Sequence, residues 1–105
     1  MLDVINLSHY YKKMILSYKC ADTKSLAKGQ RIKRFEKIER VALRKIRQLQ
    51  IAESLEDLKV PPGNRLEALK GERVGQHSIR INDQFRICFI WTEAGAKDVE
   101  IVDYH

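Results

Sequence analysis

Ser78-Ile79-Arg80-Ile81-Asn82-Asp83-Gln84-Phe85-Arg86-Ile87 alternates apolar and polar residues on both sides of a polar tripeptide. That pattern is a β-hairpin. Two loop lengths fit it, and they differ in what they bury. With Asn82-Asp83-Gln84 as a three-residue loop, Ile81 pairs with Phe85 and Ile79 with Ile87, and all four share the core face. A two-residue loop at Asn82-Asp83 places Arg86 among Ile79 and Ile81 and buries a charge. The three-residue loop is therefore expected. It sets Arg80 opposite Arg86 on the other face. Like charges directly opposite destabilise a sheet, so an anion is expected to belong beside this pair.

Downstream, Phe85, Ile87, Phe89 and Trp91 continue one face, and Val99 to Tyr104 is a β-branched last strand. Upstream, Arg65 to Leu69 alternates and Lys70-Gly71-Glu72-Arg73 reads as a turn, after a break at Pro61-Pro62-Gly63-Asn64. Before that break the period is helical. A long helix is expected over about Ile32–Ile51, with Phe35, Ile38, Ala42, Ile46 and Leu49 in one apolar stripe and Lys33, Lys37, Arg40, Arg44 and Arg47 opposite. A shorter helix before it is capped by Asp22 or Thr23 and ended by Gly29. Ser54 is placed to cap one more turn, Leu55 to Leu58. Met14 to Lys19 reads as a strand, which leaves residues 1–13 as an N-terminal extension to a domain of residues 14–105. The order implies an α+β fold, with the N-terminal strand and a helical hairpin packed on one face of a mostly antiparallel sheet.

At 105 residues the chain is one domain. Its 20 Lys and Arg against 14 Asp and Glu give a net charge of +6, which points to an anionic partner such as nucleic acid, an acidic protein or an anionic membrane surface. No apolar run has the length of a membrane span. The N-terminus lacks the charge order of a signal peptide, so a cytoplasmic protein is expected. Cys20 and Cys88 have no second Cys or His at metal-ligand spacing and are expected to be buried free thiols. There is no phosphate-binding glycine loop and no serine nucleophile motif.

Three features remain that carry chemistry. The first is the helix stripe: eight basic residues but only two acidic ones lie between Arg31 and Arg47. Mixed signs are usual on a solvated face, so Arg40, Arg44 and Arg47 are candidates for binding RNA. The second is Lys70, Arg73, Arg80 and Arg86 in neighbouring segments, where arginine offers planar contacts to phosphate oxygens. The third is the terminal Asp103-Tyr104-His105. One strand register brings Tyr104 to Arg80 and Arg86, and a shift of one residue brings Asp103 and His105 there instead; both fit the sequence. Histidine titrates near neutrality and suits proton transfer. His77, beside the Lys70–Arg73 turn, is expected to be a solvated strand residue.

The run Arg65-Leu66-Glu67-Ala68-Leu69-Lys70-Gly71-Glu72-Arg73, the hairpin above and the ending Asp98-Val99-Glu100-Ile101-Val102-Asp103-Tyr104-His105 together resemble the HigB toxins of bacterial type II toxin–antitoxin systems, within the RelE/ParE superfamily. The resemblance covers about residues 14–105. It implies a RelE-like α+β domain and a ribosome-dependent mRNA endoribonuclease needing no metal or cofactor. It also implies a HigA-like helix-turn-helix antitoxin, and operator DNA bound only through the antitoxin complex. Cleavage would run by attack of the ribose 2′-hydroxyl on the adjacent phosphate. Asp103, Tyr104 and His105 match the family's catalytic tripeptide, Arg86 the arginine at the scissile phosphate, and Lys70 and Arg73 basic residues of the adjacent turn. Glu67 stands where relatives carry a histidine. Either it replaces that base, or His105 and Tyr104 do the work, or catalysis is weak. One alternative belongs to another class, a basic, non-catalytic RNA- or protein-binding domain; a second, within the superfamily, is a gyrase-directed toxin of ParE type, against which the terminal tripeptide argues.

Overall fold

The computed structural model describes residues 15–104; the proposed extension 1–13 and His105 lie outside the described residues. The hairpin joins β2 (His77–Arg80) to β3 (Phe85–Thr92) in the expected register, with Ile79 opposite Ile87 and Arg80 opposite Arg86. Asn82 explains the loop length. Its Oδ1 accepts the backbone N–H of Gln84 (2.9 Å) and of Phe85 (2.7 Å), a local side-chain turn that closes three residues. Counting the short strand at Glu67–Ala68 as β1, β4 (Gly95–Asp103) completes a sheet of order β1-β2-β3-β4, every pair antiparallel. The alternating run at 65–69 gives only two strand residues, because Arg65 sits at φ 46° in the left-handed region and turns the chain.

The N-terminal stretch pairs with the sheet, though as one bridge and not a full strand. Tyr18 bridges Val99 in parallel, flanked by bonds from Leu16 N–H to Ala96 O (2.8 Å) and from Lys19 N–H to Val99 O (3.0 Å). Asp98, at φ 53°, kinks β4 beside it, and its backbone N–H donates to Ser17 Oγ (2.8 Å).

The helices cover one face. α1 (Ala21–Ala27) begins at Cys20, not at Asp22 or Thr23. Both expected caps are used elsewhere: Asp22 accepts Arg34 Nε (2.9 Å), and fully buried Thr23 accepts the Ile101 N–H through Oγ1 (3.0 Å), tying α1 to β4. Gly29, at φ 97°, ends the element as expected. The expected long helix is two pieces, a 3-10 turn (Lys33–Ile38) and α2 (Glu39–Ile51). The tighter turn eclipses residues three apart, which aims both Phe35 and Ile38 inward; Phe35 meets Phe85 edge-on, ring centres 6.1 Å apart. The whole predicted stripe is buried, facing Ile79, Ile87, Phe89, Val99 and Ile101. The turn at Leu55–Lys59 starts at Ser54 but takes no bond from the Ser54 side chain.

One member of the basic run points inward. Lys45 is 6% exposed and its ammonium donates to Oδ1 of fully buried Asn64. Asn64 Nδ2 in turn donates to Leu58 O (3.1 Å), Val60 O (3.3 Å) and Gln48 Oε1 (3.1 Å). Burial, aided by the nearby Arg44 charge, lowers the Lys45 pKa. Among the described residues no helix is long and apolar enough to cross a membrane.

Candidate functional site

The sheet face away from the helices carries Ser78, Arg80, Arg86, Cys88, Glu100 and Val102, because Arg86 lies opposite both Arg80 and Val102 and Cys88 lies opposite Glu100. Alternation then places Tyr104 on this face. Asp103, opposite Phe85, leaves on the other side, where its Oδ2 accepts Gln84 Nε2 (3.1 Å). So the structure brings Tyr104 to the arginines and takes the Asp103 carboxylate to the hairpin tip.

Arg86 is not the exposed arginine the hairpin implied. Its side chain is 14% exposed, with Nη1 bonded to the buried Ser78 hydroxyl and 3.3 Å from Glu67 Oε1, and Nη2 donating to Arg65 O (3.5 Å). Arg73 reaches over the same face to Gln76 Oε1 (3.0 Å) and Glu100 Oε1 (3.4 Å). Arg80 pairs with Asp83 of the loop. The anion expected beside the Arg80–Arg86 pair is thus supplied from within: each arginine has a carboxylate of its own chain. Glu67, 55% exposed, is the counterion of Arg86. Lys70 is exposed and opens the 3-10 turn Gly71–Arg73.

The Tyr104 phenol and the Cys88 thiol are neighbours on this face. Burial raises the Tyr104 pKa, and Cys88 adds to the effect against the opposing Arg73 and Arg86 charges. Burial likewise raises Cys88. Tyr104 is therefore a neutral proton donor among cations, beside a neutral thiol. Ser78, Gln76, Cys88 and Glu100 are neighbours that the sequence reading passed over. The alternation that placed Arg86 also places Ser78 and Cys88 on its face, so the signal was present.

Arg40, Arg44 and Arg47 are exposed on α2. They face away from the sheet, so they form a second basic surface on the opposite side of the molecule. Arg34 belongs to neither surface, being paired with Asp22 and stacked 4.2 Å over the Phe35 ring. His77 is half-buried, not solvated; its ring stacks on Phe89, and its enclosed Nδ1 has no hydrogen-bond partner. Both cysteines are free, but Cys20 is only half-buried. Burial alone would raise the Cys20 pKa; the N–H groups of Thr23 and Asp22 and the Arg34 charge outweigh it. Among the described residues no group of three or more His, Cys, Asp or Glu is placed to hold a metal ion.

A family model described as "RelE-like toxin of type II toxin-antitoxin system HigB" matches residues 10–105. Over 59 residues the chain is 44% identical to "Toxin HigB-1" of Vibrio cholerae serotype O1 (strain ATCC 39315 / El Tor Inaba N16961). The match takes in 56% of this chain and 62% of that relative, so the chain spans less than two thirds of the relative's length.

Proposed function

Because the chain belongs to the HigB-like toxins, RelE-like proteins of type II toxin–antitoxin systems, we propose that it is an endoribonuclease that cuts mRNA on the translating ribosome and so inhibits translation. The observation that carries this reading is the open sheet face, which gathers Arg86 of β3, a neutral Tyr104 just past the end of β4 and Arg73 of the adjoining turn. The substrate's 2′-hydroxyl attacks the adjacent phosphorus, the 5′-oxygen departs, and a 2′,3′-cyclic phosphate is left. The nucleophile is the RNA's own, and arginine supplies the charge that stabilises the phosphorane oxygens, so the reaction needs no metal or cofactor. Arg86 meets the phosphate after exchanging Glu67 for it. Tyr104 donates the proton to the leaving oxygen; β4 ends at Asp103, so strand alternation does not govern His105, to which we assign the proton of the attacking hydroxyl. Asp103 anchors the strand end through Gln84. Lys70, Arg73 and Arg80 flank the message, and Arg40, Arg44 and Arg47 hold ribosomal RNA.

In the same reading, residues 14–105 are the toxin domain and 1–13 an extension. The protein acts in the cytoplasm, is neutralised by a HigA-like helix-turn-helix antitoxin, and meets operator DNA only through that complex. The test is expression without antitoxin, followed by mapping of mRNA 5′ ends. New ends inside translated regions are expected, and protein stripped of bound metal by dialysis against EDTA, then returned to ribosomes in magnesium buffer, should cut at the parent rate. Growth arrest with intact messages would overturn the reading in favour of a gyrase-directed or purely binding protein.

Glu67→Gln separates two roles. As the counterion of Arg86, Glu67 competes with phosphate, so the variant is expected to cut with lower KM and unchanged kcat. A fall of about 10²–10⁴-fold in kcat would instead make Glu67 the general base. For the helix surface, the Arg40→Glu, Arg44→Glu, Arg47→Glu variant should bind ribosomes more weakly. Its slope of log affinity against log salt should be shallower by about 2 to 3, as expected for three lost phosphate contacts. An unchanged slope would return α2 to a merely solvated face.

A further inference from the structure

We infer that the cavity between the 3-10 turn and the tip of the β2–β3 hairpin receives one ribonucleotide of the message beside the cut. This rests on the ribonuclease reading and adds a binding site to it. The cavity has a volume of about 340 Å³ and is lined by Lys33, Lys37 and Ile38 on one side and Asn82, Gln84 and Phe85 on the other. That is the lower end of the range for small-ligand pockets and suits a single nucleotide.

Its chemistry has the parts a nucleotide needs. Lys33 and Lys37 are exposed on successive levels of the turn, and neither has a carboxylate partner among the described residues. They are positioned for a phosphate. Glu36 also lines the wall, which favours a ligand anchored at the lysines over one of dispersed negative charge. Phe85, a core residue only 9% exposed and braced edge-on by Phe35, closes the floor and gives the cavity an apolar base against which the rim of a nucleobase can rest. Asn82 uses Oδ1 to close the hairpin loop, which leaves its amide donor for a base edge.

Position links the cavity to the open face. Gln84 is part of its wall, accepts the Tyr104 N–H through its backbone carbonyl, and donates from its side chain to Asp103. A strand of RNA leaving Tyr104 thus rounds the hairpin tip and enters the cavity over a residue both places share.

The test titrates the isotope-labelled full chain with 5′-AMP, adenosine and inorganic phosphate, followed by backbone amide shifts in NMR. AMP is expected to move residues 33–38 and 82–85 together, and more strongly than either half alone. Lys33→Gln combined with Lys37→Gln should weaken AMP binding there about tenfold. The same variant should raise KM for mRNA on ribosomes with kcat retained. Amides that stay still with AMP, or that move with a glutamate-rich peptide but not with AMP, would overturn the inference. A parent protein that cuts mRNA while AMP leaves these amides unmoved fails the cavity alone. One that binds AMP here yet cuts no message fails the ribonuclease reading alone. Loss of affinity of the variant for ribosomes without message would overturn the assignment to mRNA.

Discussion

Arg86→Ala is expected to lower cleavage of ribosome-bound mRNA by about 100-fold or more, the effect of removing a preorganised charge from a developing phosphorane. The same change touches the fold. Arg86 fills three acceptors, and without it the buried Ser78 hydroxyl and the Arg65 carbonyl lose their partner, a loss of about 1–3 kcal/mol. Arg86→Lys separates the two effects. It keeps a charge and a donor near Ser78 but cannot present the planar fork of a guanidinium. Its urea midpoint should lie nearer the parent's than that of the alanine variant, while single-turnover cleavage still falls about tenfold. Parent-rate cleavage by the lysine variant would mean that no two-pronged contact to phosphate is made.

The second large effect concerns stability alone. Asn64→Ala is expected to destabilise the protein by about 3–5 kcal/mol, a large part of the 5–15 kcal/mol typical of a whole domain. The variant strands the Lys45 ammonium in a nearly buried position and unpairs the Leu58 and Val60 carbonyls together. Lys45→Met removes the charge along with its bond, so it should lose much less. Urea unfolding of the two variants decides the matter: similar midpoints would show that the Lys45 charge reaches water and that Asn64 is not its anchor.

The hairpin register was legible because a slip of one residue carries Arg86 into the core, and nothing in the sequence offsets that. The apolar stripe from Phe35 to Leu49 was legible for the same reason, since charge and apolar surface separate cleanly around it. Lys45 was misread among the surface cations although its spacing was informative: it lies three residues after Ala42 and four before Leu49, inside the stripe. Counting charge hid what angle showed. The division of the long helix was not legible, because Phe35 and Ile38 are three apart and suit either helix type. The partners of the arginines were hidden for a different reason. Glu67 comes from a strand of two residues, and Glu100 lies close to the irregular pairing between Cys88 and Ile90; no local pattern predicts contacts set by so short a strand and a nearby bulge. Tyr104 could be placed only once the length of the β3–β4 connection was known.

The carboxylates of Glu67, Asp83 and Glu100 give the two basic surfaces unlike responses to salt. Arginines on α2 are neutralised by mobile ions, so their pull on any polyanion reaches across a Debye length of about 8 Å in physiological salt and fades as salt rises. Arginines on the sheet carry counterions that are covalently part of the chain and cannot be diluted away. At a distance the sheet looks nearly neutral, and its attraction emerges only when a phosphate comes close enough to displace a glutamate. One surface therefore recruits indiscriminately, and the other responds only to a ligand that fits.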